Sequence, residues 1–241
     1  MPERSESSGG PVPSMAWLER ANRLSLQARL VATTVHDVNN ALQVIGGGVE
    51  LLQMAPADPG AVTRAIGGQA ERANRLLQEL SRFVRDAGGT VEPVSLRELA
   101  EQALALRHFA LTRLRATRVV EGDGVTVAAV RRDVLQIVLN LLVNAELALP
   151  GVTGPAVRIV LGHDGGQATL AVEDNGPGVP PGMQGQIFEW QPPPEDGPAD
   201  RLGIGLAVSR ALAGRLGGTL ACTPRESAGA TFTLTLPVSR G

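Results

Sequence analysis

Three short motifs follow one another in the second half of the chain: Asn-Leu-Leu-Val-Asn-Ala at 140–145, Asp-Asn-Gly-Pro-Gly at 174–178, and Gly-Ile-Gly-Leu at 203–206. Apolar residues at helical spacing around the first motif predict a helix over 131–149. An apolar run before the second predicts a strand that ends at Asp174, and the third opens a predicted helix. We expect these elements to contribute to one site in one domain.

The residue types in the first two motifs suit a nucleotide. Asn140 and Asn144 lie one helical turn apart, so both amides leave the same face of the helix. An amide oxygen suits a Mg²⁺ ion bound to phosphate, and hydrogen bonding of both amides to neighbouring backbone is the structural alternative. Asp174 can accept a hydrogen bond from an exocyclic amine such as that of adenine, beside the turn glycines Gly176 and Gly178.

The third motif suits the phosphates. Gly203 and Gly205 flank Ile204, where a helix over 204–216 is predicted to begin. The exposed N–H groups and the dipole of a helix N-terminus favour phosphate. The preceding loop, 180–200, is rich in Pro, Gly and Asp and predicts a mobile lid. Taken together, the motifs predict a pocket for ATP and Mg²⁺.

The rest of the second half predicts helices on one face of a sheet. Ser95 as N-cap with Glu98 three residues later is a capping box, which starts a predicted helix over 95–111. Six strands are predicted, at 116–120, 125–128, 156–161, 168–173, 219–223 and 231–236. Because strands arrive as hairpins between helices, we predict an α/β sandwich with one layer of each.

The first half has a heptad pattern. Apolar residues alternate in steps of three and four from Leu24 to Leu52 and, after a Pro/Gly break at 55–60, again from Val62 to Phe83. This pattern predicts two long helices in an antiparallel hairpin. A two-helix hairpin cannot enclose a core, so we predict a homodimer whose two hairpins form a four-helix bundle. The predicted fold class is therefore α+β.

His36 lies just off this seam, in the string His-Asp-Val-Asn-Asn at 36–40. Its imidazole is expected on the bundle surface, where it can act as a nucleophile, and a surface histidine without a role is the structural alternative. Asp37 can accept the Nδ1 proton and thereby present the Nε2 lone pair. The polar stripe on which His36 stands comprises Arg29, Thr33, His36, Asn40 and Gln43.

Three consecutive glycines, Gly46 to Gly48, lie inside the first predicted helix, at a cost of about 1 kcal/mol each relative to Ala. A flexible point that relays a signal would account for them. A close approach of two helices at the seam would account for them equally well.

Composition limits the classes of function. The 241 residues carry a formal net charge of -2, which gives no electrostatic reason to bind nucleic acid. The one cysteine, Cys222, excludes an intramolecular disulfide and suits a reducing compartment. Residues 1–13 predict a disordered leader, and no segment is long and apolar enough for membrane insertion. We expect a cytoplasmic protein.

These motifs resemble those of bacterial two-component sensor histidine kinases whose phosphoacceptor string reads His-Asp-x-Asn-Asn. The second half resembles the ATPase domain shared with gyrase, the heat-shock chaperone and mismatch-repair ATPases, and the resemblance covers Leu24 to Pro237. It implies that His36 is the phosphoacceptor, Asp37 its general base, and Asn40 the residue that positions water for dephosphorylating the partner.

For the second half, the resemblance implies that Asn144 holds Mg²⁺, Asn140 supports the phosphates and Asp174 binds adenine. The other implied nucleotide contacts are Gly176, Gly178, Phe188 as the lid phenylalanine, Gly203, Gly205 and Leu206. The chain departs from the family at two places: Arg201 stands where the glycine box often begins, and Phe188-Glu189-Trp190 replaces a motif that ends in Pro-Phe. Arg201 either contacts the γ-phosphate or slows the lid.

The implied function is an ATP-dependent protein-histidine kinase that phosphorylates His36 and passes the phosphoryl group to an aspartate of a response regulator. Two alternatives stay open: a histidine phosphotransferase with an inactive nucleotide site, and an ATP-gated dimeric clamp, which leaves the His36 stripe unexplained. The predicted domains are the leader, the hairpin (14–88) and the catalytic domain (89–241). We expect the signal to come from a separate sensor protein, from the leader, or not at all.

Overall fold

The computed structural model describes residues 13–54, 57–85, 89–180, 182–190, 203–225 and 228–238. Nearly all of the predicted leader, most of the predicted lid, Arg201 and the predicted boundary residue Gly88 lie outside these ranges.

Two long helices form the predicted hairpin. Helix α1 (Met15–Gln53) starts at Ser14, whose hydroxyl accepts a hydrogen bond from the Trp17 N–H at 3.3 Å. Helix α2 (Pro59–Arg85) starts beside Asp58, whose Oδ1 accepts from the Ala61 N–H at 2.8 Å. These side chains bond the N–H groups that a helix start leaves without partners.

The two predicted seams are buried to different extents within the chain. On α2, Ala73, Leu76 and Phe83 of the seam are buried as expected. On α1 the seam stays exposed at Leu24, Val31, Val35, Leu42 and Val49. The buried residues of α1 are instead Leu18, Asn22, Leu26, Leu30, Thr34 and Ala41. The predicted α1 seam is therefore not buried by this chain, because the first half of the helix packs its other face against the second domain.

The glycine run in α1 has one close neighbour. A Cβ added at Gly48 would lie 2.7 Å from Cγ1 of Ile66 on α2, whereas Cβ atoms at Gly46 and Gly47 would meet no atom of the described residues within 4 Å. Close helix approach thus explains Gly48 and leaves the other two glycines unexplained.

The second domain is the predicted α/β sandwich. Its sheet has the order β2-β4-β5-β7-β6, with β2 parallel to β4 and the other pairs antiparallel. These strands are β2 (Thr117–Glu121), β4 (Ala156–Asp164), β5 (Gln167–Asp174), β6 (Thr219–Pro224) and β7 (Ala230–Pro237). A separate antiparallel ribbon joins β1 (Val91–Ser95) and β3 (Thr126–Val130).

Helices cover one face of this sheet and enclose the core. They are α3 (Leu96–Leu106), α4 (His108–Arg113), α5 (Arg131–Ala148) and α6 (Gly205–Arg215), with a short 3₁₀ helix at Gln186–Phe188. Alternate residues of β4, such as Ile159, and most of α5 are buried together. The α+β fold class is confirmed.

Two local predictions differ from the structure. Strand β1 was not predicted, and the predicted helix over 95–111 divides at Arg107 into α3 and α4. The buried Arg107 side chain donates to Glu146 on α5, with Nε 2.8 Å from Oε1. Within the described ranges, no helix is long and apolar enough to cross a bilayer.

Candidate active site

A cavity of about 290 Å³ opens between the second half of α5, the end of β5 and the start of α6. Its walls are mostly apolar and it contains two polar side chains, Asn144 and Asp174. Apolar walls with a few fixed polar groups are typical of sites for small molecules and cofactors. The remaining lining residues are Leu147, Ala148, Gly178, Val179, Pro180, Ile187, Leu206, Ala230 and Phe232.

Asp174 is the buried acidic group of this cavity, with 3% of its surface exposed. Its Oδ1 accepts a hydrogen bond from the Gly176 N–H at 2.9 Å. Burial raises the pKa of this carboxyl, and hydrogen bonds from the backbone N–H groups of Gly176 and Ala230, together with the charge of Arg225, oppose that rise. A carboxylate fixed in this way can accept a hydrogen bond from an amine of a bound base.

The turn after Asp174 needs its glycines. A Cβ at Gly176 would lie 2.8 Å from Cβ of Ala148, at the end of α5. Gly178 has φ of +77°, and a Cβ there would lie 2.8 Å from the carbonyl oxygen of Gly229. These close approaches, which side chains would prevent, set the position of the turn beside the cavity.

The structure separates the two asparagines of α5. Asn144 lines the cavity, whereas Asn140 is buried and does not. The Asn140 Nδ2 lies within hydrogen-bond distance of the Gly205 carbonyl at 3.1 Å, of Ser209 Oγ at 3.0 Å and of Asn22 Oδ1 at 3.0 Å, so its two N–H groups are shared among three acceptors. Asn140 is therefore hydrogen-bonded to side chains of α1 and α6 and to one backbone carbonyl of α6.

The Asn144 amide oxygen is a candidate ligand for a magnesium ion here, beside the Asp174 carboxylate. No group of three or more His, Cys, Asp or Glu residues in the described part of the chain could hold a metal ion. Mg²⁺ commonly uses one or two protein oxygens and completes its shell with substrate phosphates and water. The cavity thus fits a metal that arrives with a phosphate-bearing ligand.

Helix α6 begins at the edge of the cavity. Leu206 lines the cavity, Gly203 has φ of +64°, and Gly205 starts the helix. Phe188, predicted to contact the ligand, is 8% exposed and packs into the core, with Arg210 Cζ 5.4 Å from its ring centroid. Its neighbour Ile187 lines the cavity instead.

His36 is exposed on α1, as predicted. Its Nδ1 is 3.0 Å from Nδ2 of Asn40, so Asn40 occupies the position that sequence reasoning gave to Asp37. Asp37 is half-buried, and burial raises the pKa of its carboxyl against the opposing charges of Arg72 and His36. The imidazole also contacts the ring of Phe109 on α4, with 3.8 Å between centroids and 33° between the planes.

Sequence reasoning missed Phe109 and Asn22, the latter a buried residue of α1 that bonds to Asn140. No spacing or motif relates either residue to its partner, because both contacts join the first domain to the second. The sequence offered one indication for Asn22: it is a polar residue at helical spacing between the apolar residues Leu18 and Leu26.

A family model matches part of the second domain, and a curated relative matches most of the chain. Residues 129–240 match the family model described as histidine kinase-, DNA gyrase B-, and HSP90-like ATPase. The chain is 30% identical over 226 residues to the signal transduction histidine-protein kinase AtoS of Escherichia coli strain K12, covering 92% of this chain and 36% of AtoS. It therefore spans little more than a third of the length of that curated relative.

Solved structures agree with the fold. A structure of the mycobacterial sensor histidine kinase MprB is similar with a TM-score of 0.52 and 26% identity, covering 61% of this chain and 97% of that one. Histidine kinase ThkA, solved in complex with the response regulator protein TrrA, is similar with a TM-score of 0.52 and 19% identity, covering 95% of this chain and 68% of that one. At that identity, the second likeness shows the fold alone.

Proposed function

We propose, on the premise that this chain belongs with the bacterial sensor histidine kinases and carries an ATPase domain of the histidine kinase, gyrase B and HSP90 type, that it is an ATP-dependent protein-histidine kinase. The observation that carries the proposal is the presence, in one chain, of an exposed imidazole with its Nδ1 already hydrogen-bonded and a cavity lined by Asn144 and Asp174.

In the proposed reaction, Nε2 of His36 attacks the γ-phosphorus of ATP. The N–P bond forms as the bond from that phosphorus to the β–γ bridging oxygen breaks, and ADP leaves. Asp37, which follows His36 in the chain, is proposed to take the Nδ1 proton as general base after the Asn40 amide has turned away from that nitrogen. Bound Mg²⁺, held through Asn144, would neutralise charge on the phosphates.

Asn40 sets which nitrogen of the imidazole carries a lone pair. In the described arrangement its Nδ2 donates to Nδ1, which leaves the ring proton on Nε2. Rotation of the amide by half a turn presents Oδ1 to an Nδ1–H instead, and Nε2 then holds the lone pair. The same side chain is suited to position water for dephosphorylation of the partner.

Asp174 is proposed to select adenine, and the start of α6 the phosphates. The buried carboxylate accepts the exocyclic amine while Leu147, Val179 and Phe232 enclose the base. Gly203, Gly205 and Leu206 bring the N-terminus of α6 to the same cavity. Asn140 and Phe188, which are buried behind the cavity wall, are proposed to support this site. Arg201 is proposed to contact the γ-phosphate or to slow closure of the lid.

The proposed partners are a second copy of the chain and the receiver domain of a response regulator, with input from a separate sensor protein. Support for the first is the row of exposed apolar residues on α1. Support for the second is the fold shared with ThkA, which has been solved with a response regulator.

The proposal is tested by incubating the purified chain with γ-labelled ATP and Mg²⁺. Wild type is expected to take up label that is labile in acid and stable in base. His36→Gln is expected to take up none, whereas His163→Gln, which changes an exposed histidine on β4, labels as wild type does. Asn144→Ala is expected to lose the Mg²⁺-dependent part of ATP affinity and most of the label.

One outcome would contradict the kinase and favour the phosphotransferase alternative. Wild type would bind no ATP at millimolar concentration and yet accept phosphate from a phosphorylated response regulator. Label that persists in His36→Gln would show that the phosphoacceptor is another residue.

A further inference from the structure

The buried face of α1 carries an asparagine that bonds to the second domain. Asn22 is 4% exposed, and its Nδ2 donates to the Asn140 Oδ1 at 2.9 Å. Its Oδ1 accepts from the Asn140 Nδ2 at 3.0 Å and from Gln136 Nε2 at 2.7 Å. The two asparagine amides thus face each other, and each is both donor and acceptor.

The network continues from Asn140 into α6. The Asn140 Nδ2 also lies within hydrogen-bond distance of the carbonyl of Gly205, the first residue of α6, and of Ser209 Oγ one turn later. A Cβ added at Gly205 would lie 3.3 Å from the Asn140 Oδ1, so the backbone of α6 rests directly on this amide. Hydrogen bonds therefore link α1, through α5, to the start of α6.

The surrounding contacts hold Asn22 in this position. Leu18 and Leu26, one turn before and one turn after it, are both buried in the core that α1 shares with the second domain. At the edge of the interface, Arg215 of α6 forms ion pairs with Glu19 of α1 and with Asp133 of α5, the latter at 3.5 Å. The helix is fixed by apolar burial and by charge, and Asn22 adds a directional link.

We propose that Asn22 is a positioning residue for the nucleotide site, which holds the phosphate-binding start of α6 in place through Asn140 and Gly205. This inference rests on the proposed function, because it assumes that the cavity beside Leu206 binds ATP. Without Asn22, the Asn140 amide loses its partner on α1 and is held only by its contacts with Gly205 and Ser209, so the start of α6 is positioned less firmly. The start of α6 then has to be ordered by the nucleotide itself, and affinity falls.

The position of Asn22 on α1 also bears on how the proposed phosphoryl transfer is controlled. Asn22 and His36 lie on the same helix, 14 residues apart by their numbers. A shift or rotation of α1 therefore changes the support of the nucleotide site and the position of the imidazole together. Any input that moves α1 would reach both reactants of the proposed phosphoryl transfer.

The test compares Asn22→Ala with Leu26→Ala in the full chain. Both remove buried contacts of α1 with the second domain, but only the first removes the amide link. Titration calorimetry with a non-hydrolysable ATP analogue and Mg²⁺ is expected to show about three- to tenfold weaker binding for Asn22→Ala, the loss of one or two hydrogen bonds. Leu26→Ala is expected to bind within twofold of wild type while its melting temperature falls.

A double-mutant cycle with Ser209→Ala identifies the route. Ser209 bonds to the same Asn140 amide from the side of α6, so its effect on analogue affinity is expected to be smaller in the Asn22→Ala background than in wild type. Should Asn22→Ala fail to fold, Asn22→Ser, whose hydroxyl is too short to replace the amide, takes its place.

Two results would overturn the inference and leave the proposed function intact: unchanged affinity in Asn22→Ala, or equal losses in Asn22→Ala and Leu26→Ala, which would show a role in docking alone. Additive effects of Asn22→Ala and Ser209→Ala would likewise exclude the route through Asn140. A wild-type chain that does not bind the analogue would overturn the proposed function and this inference with it.

Discussion

At the scale of single residues, Asp174 is the most direct probe of the cavity. In Asp174→Asn, the amide oxygen can still accept from the Gly176 N–H, and its NH₂ group replaces the second carboxylate oxygen. An adenine amine then meets a donor where it needs an acceptor. We expect affinities for ATP and ADP to fall alike, by about tenfold or more, as measured by calorimetry.

Asp164→Asn provides the matched control, because Asp164 is an exposed aspartate at the end of the neighbouring strand β4. It is expected to bind both nucleotides as wild type does. A Kd for ADP that is unchanged in Asp174→Asn would contradict the assignment of Asp174 to the base.

His108, beside Phe109, gives a prediction about pH. Burial, with the charges of Arg118 and Arg72, lowers the pKa of His108 to about 4 from an ordinary value of 6.5. Since the unfolded chain binds this proton more readily, the contribution of neutral His108 to stability is present above about pH 6.5 and is lost as the pH falls towards 4.

We therefore expect the free energy of unfolding in urea to fall less between pH 7 and pH 5 in His108→Gln than in wild type. The difference should be below about 1 kcal/mol, because the ring is partly exposed. The pKa values of the Asp37 and Asp174 carboxyls are raised by burial, so these groups change stability with pH in the opposite direction to His108. They are present in both proteins, so the comparison isolates the effect of His108. Identical pH dependence would contradict the assigned environment of the imidazole.

At the scale of helices and strands, we expect substitutions at two neighbouring glycines of α1 to change stability differently. Gly46→Ala is expected to stabilise the protein by about 0.5–1 kcal/mol, because Gly is a poor helix former and no described residue lies within 4 Å of the new methyl group. Gly48→Ala is expected to gain less or to destabilise by about 1 kcal/mol, since the methyl group would force Ile66 to move. Thermal unfolding of both variants measures the difference.

If Gly48→Ala is as stabilising as Gly46→Ala, the close approach of α1 and α2 at this point is wrong. The glycine run would then need a different explanation, such as the flexible point that the sequence also allows.

Elements set by local signals were predictable. Ser95 is the N-cap of α3 as predicted, with the Glu98 N–H donating to its hydroxyl at 3.3 Å. The six predicted strands lie within a few residues of their observed ranges, because alternating burial and turn glycines define them locally. Strand β1, which contains Pro93, was missed because it forms only by pairing with β3, more than 30 residues away.

Elements set by remote contacts were not predictable. The predicted helix is interrupted at Arg107, whose side chain forms a buried ion pair with Glu146, 39 residues away. In the site, Asp174 and Asn144 line one cavity, and their positions at a strand end and on a helix face are local features of the sequence. The contacts of the Asn140 side chain were not predictable, because its partners on α1 and α6 cannot be read from its own motif.

At the scale of the whole molecule, the exposed seam of α1 predicts association of two chains. Five large apolar side chains of α1 are exposed at heptad spacing: Leu24, Val31, Val35, Leu42 and Val49. A row of exposed apolar side chains at this spacing is typical of a helix that packs against a partner. Light scattering is expected to report a dimer for wild type and a monomer, or a dimer weakened at least tenfold, for Leu42→Glu. Val119→Glu, which introduces the same charge at an exposed apolar position of β2, is expected to remain dimeric.

A wild-type chain that stays monomeric at high micromolar concentration would contradict the four-helix bundle. A dimer that Val119→Glu disrupts as strongly as Leu42→Glu would place the interface elsewhere.

Helix α1, which carries His36, packs against the second domain, which contains the cavity. Phe109 of α4 contacts His36, and Asn22 of α1 contacts Asn140, so one helix bonds to the second domain at two points. The proposed function adds that a phosphoryl group of ATP bound in the cavity is transferred to the imidazole of His36.

Peptide mapping at alkaline pH, after incubation with ATP and Mg²⁺, tests that claim most directly, because the chain has three histidines and the method distinguishes them. The account predicts phosphate on the imidazole of His36 in wild type, and on no residue in His36→Gln. Phosphate on His108, His163 or a hydroxyl side chain, or none in a wild-type protein that binds ATP, would contradict it.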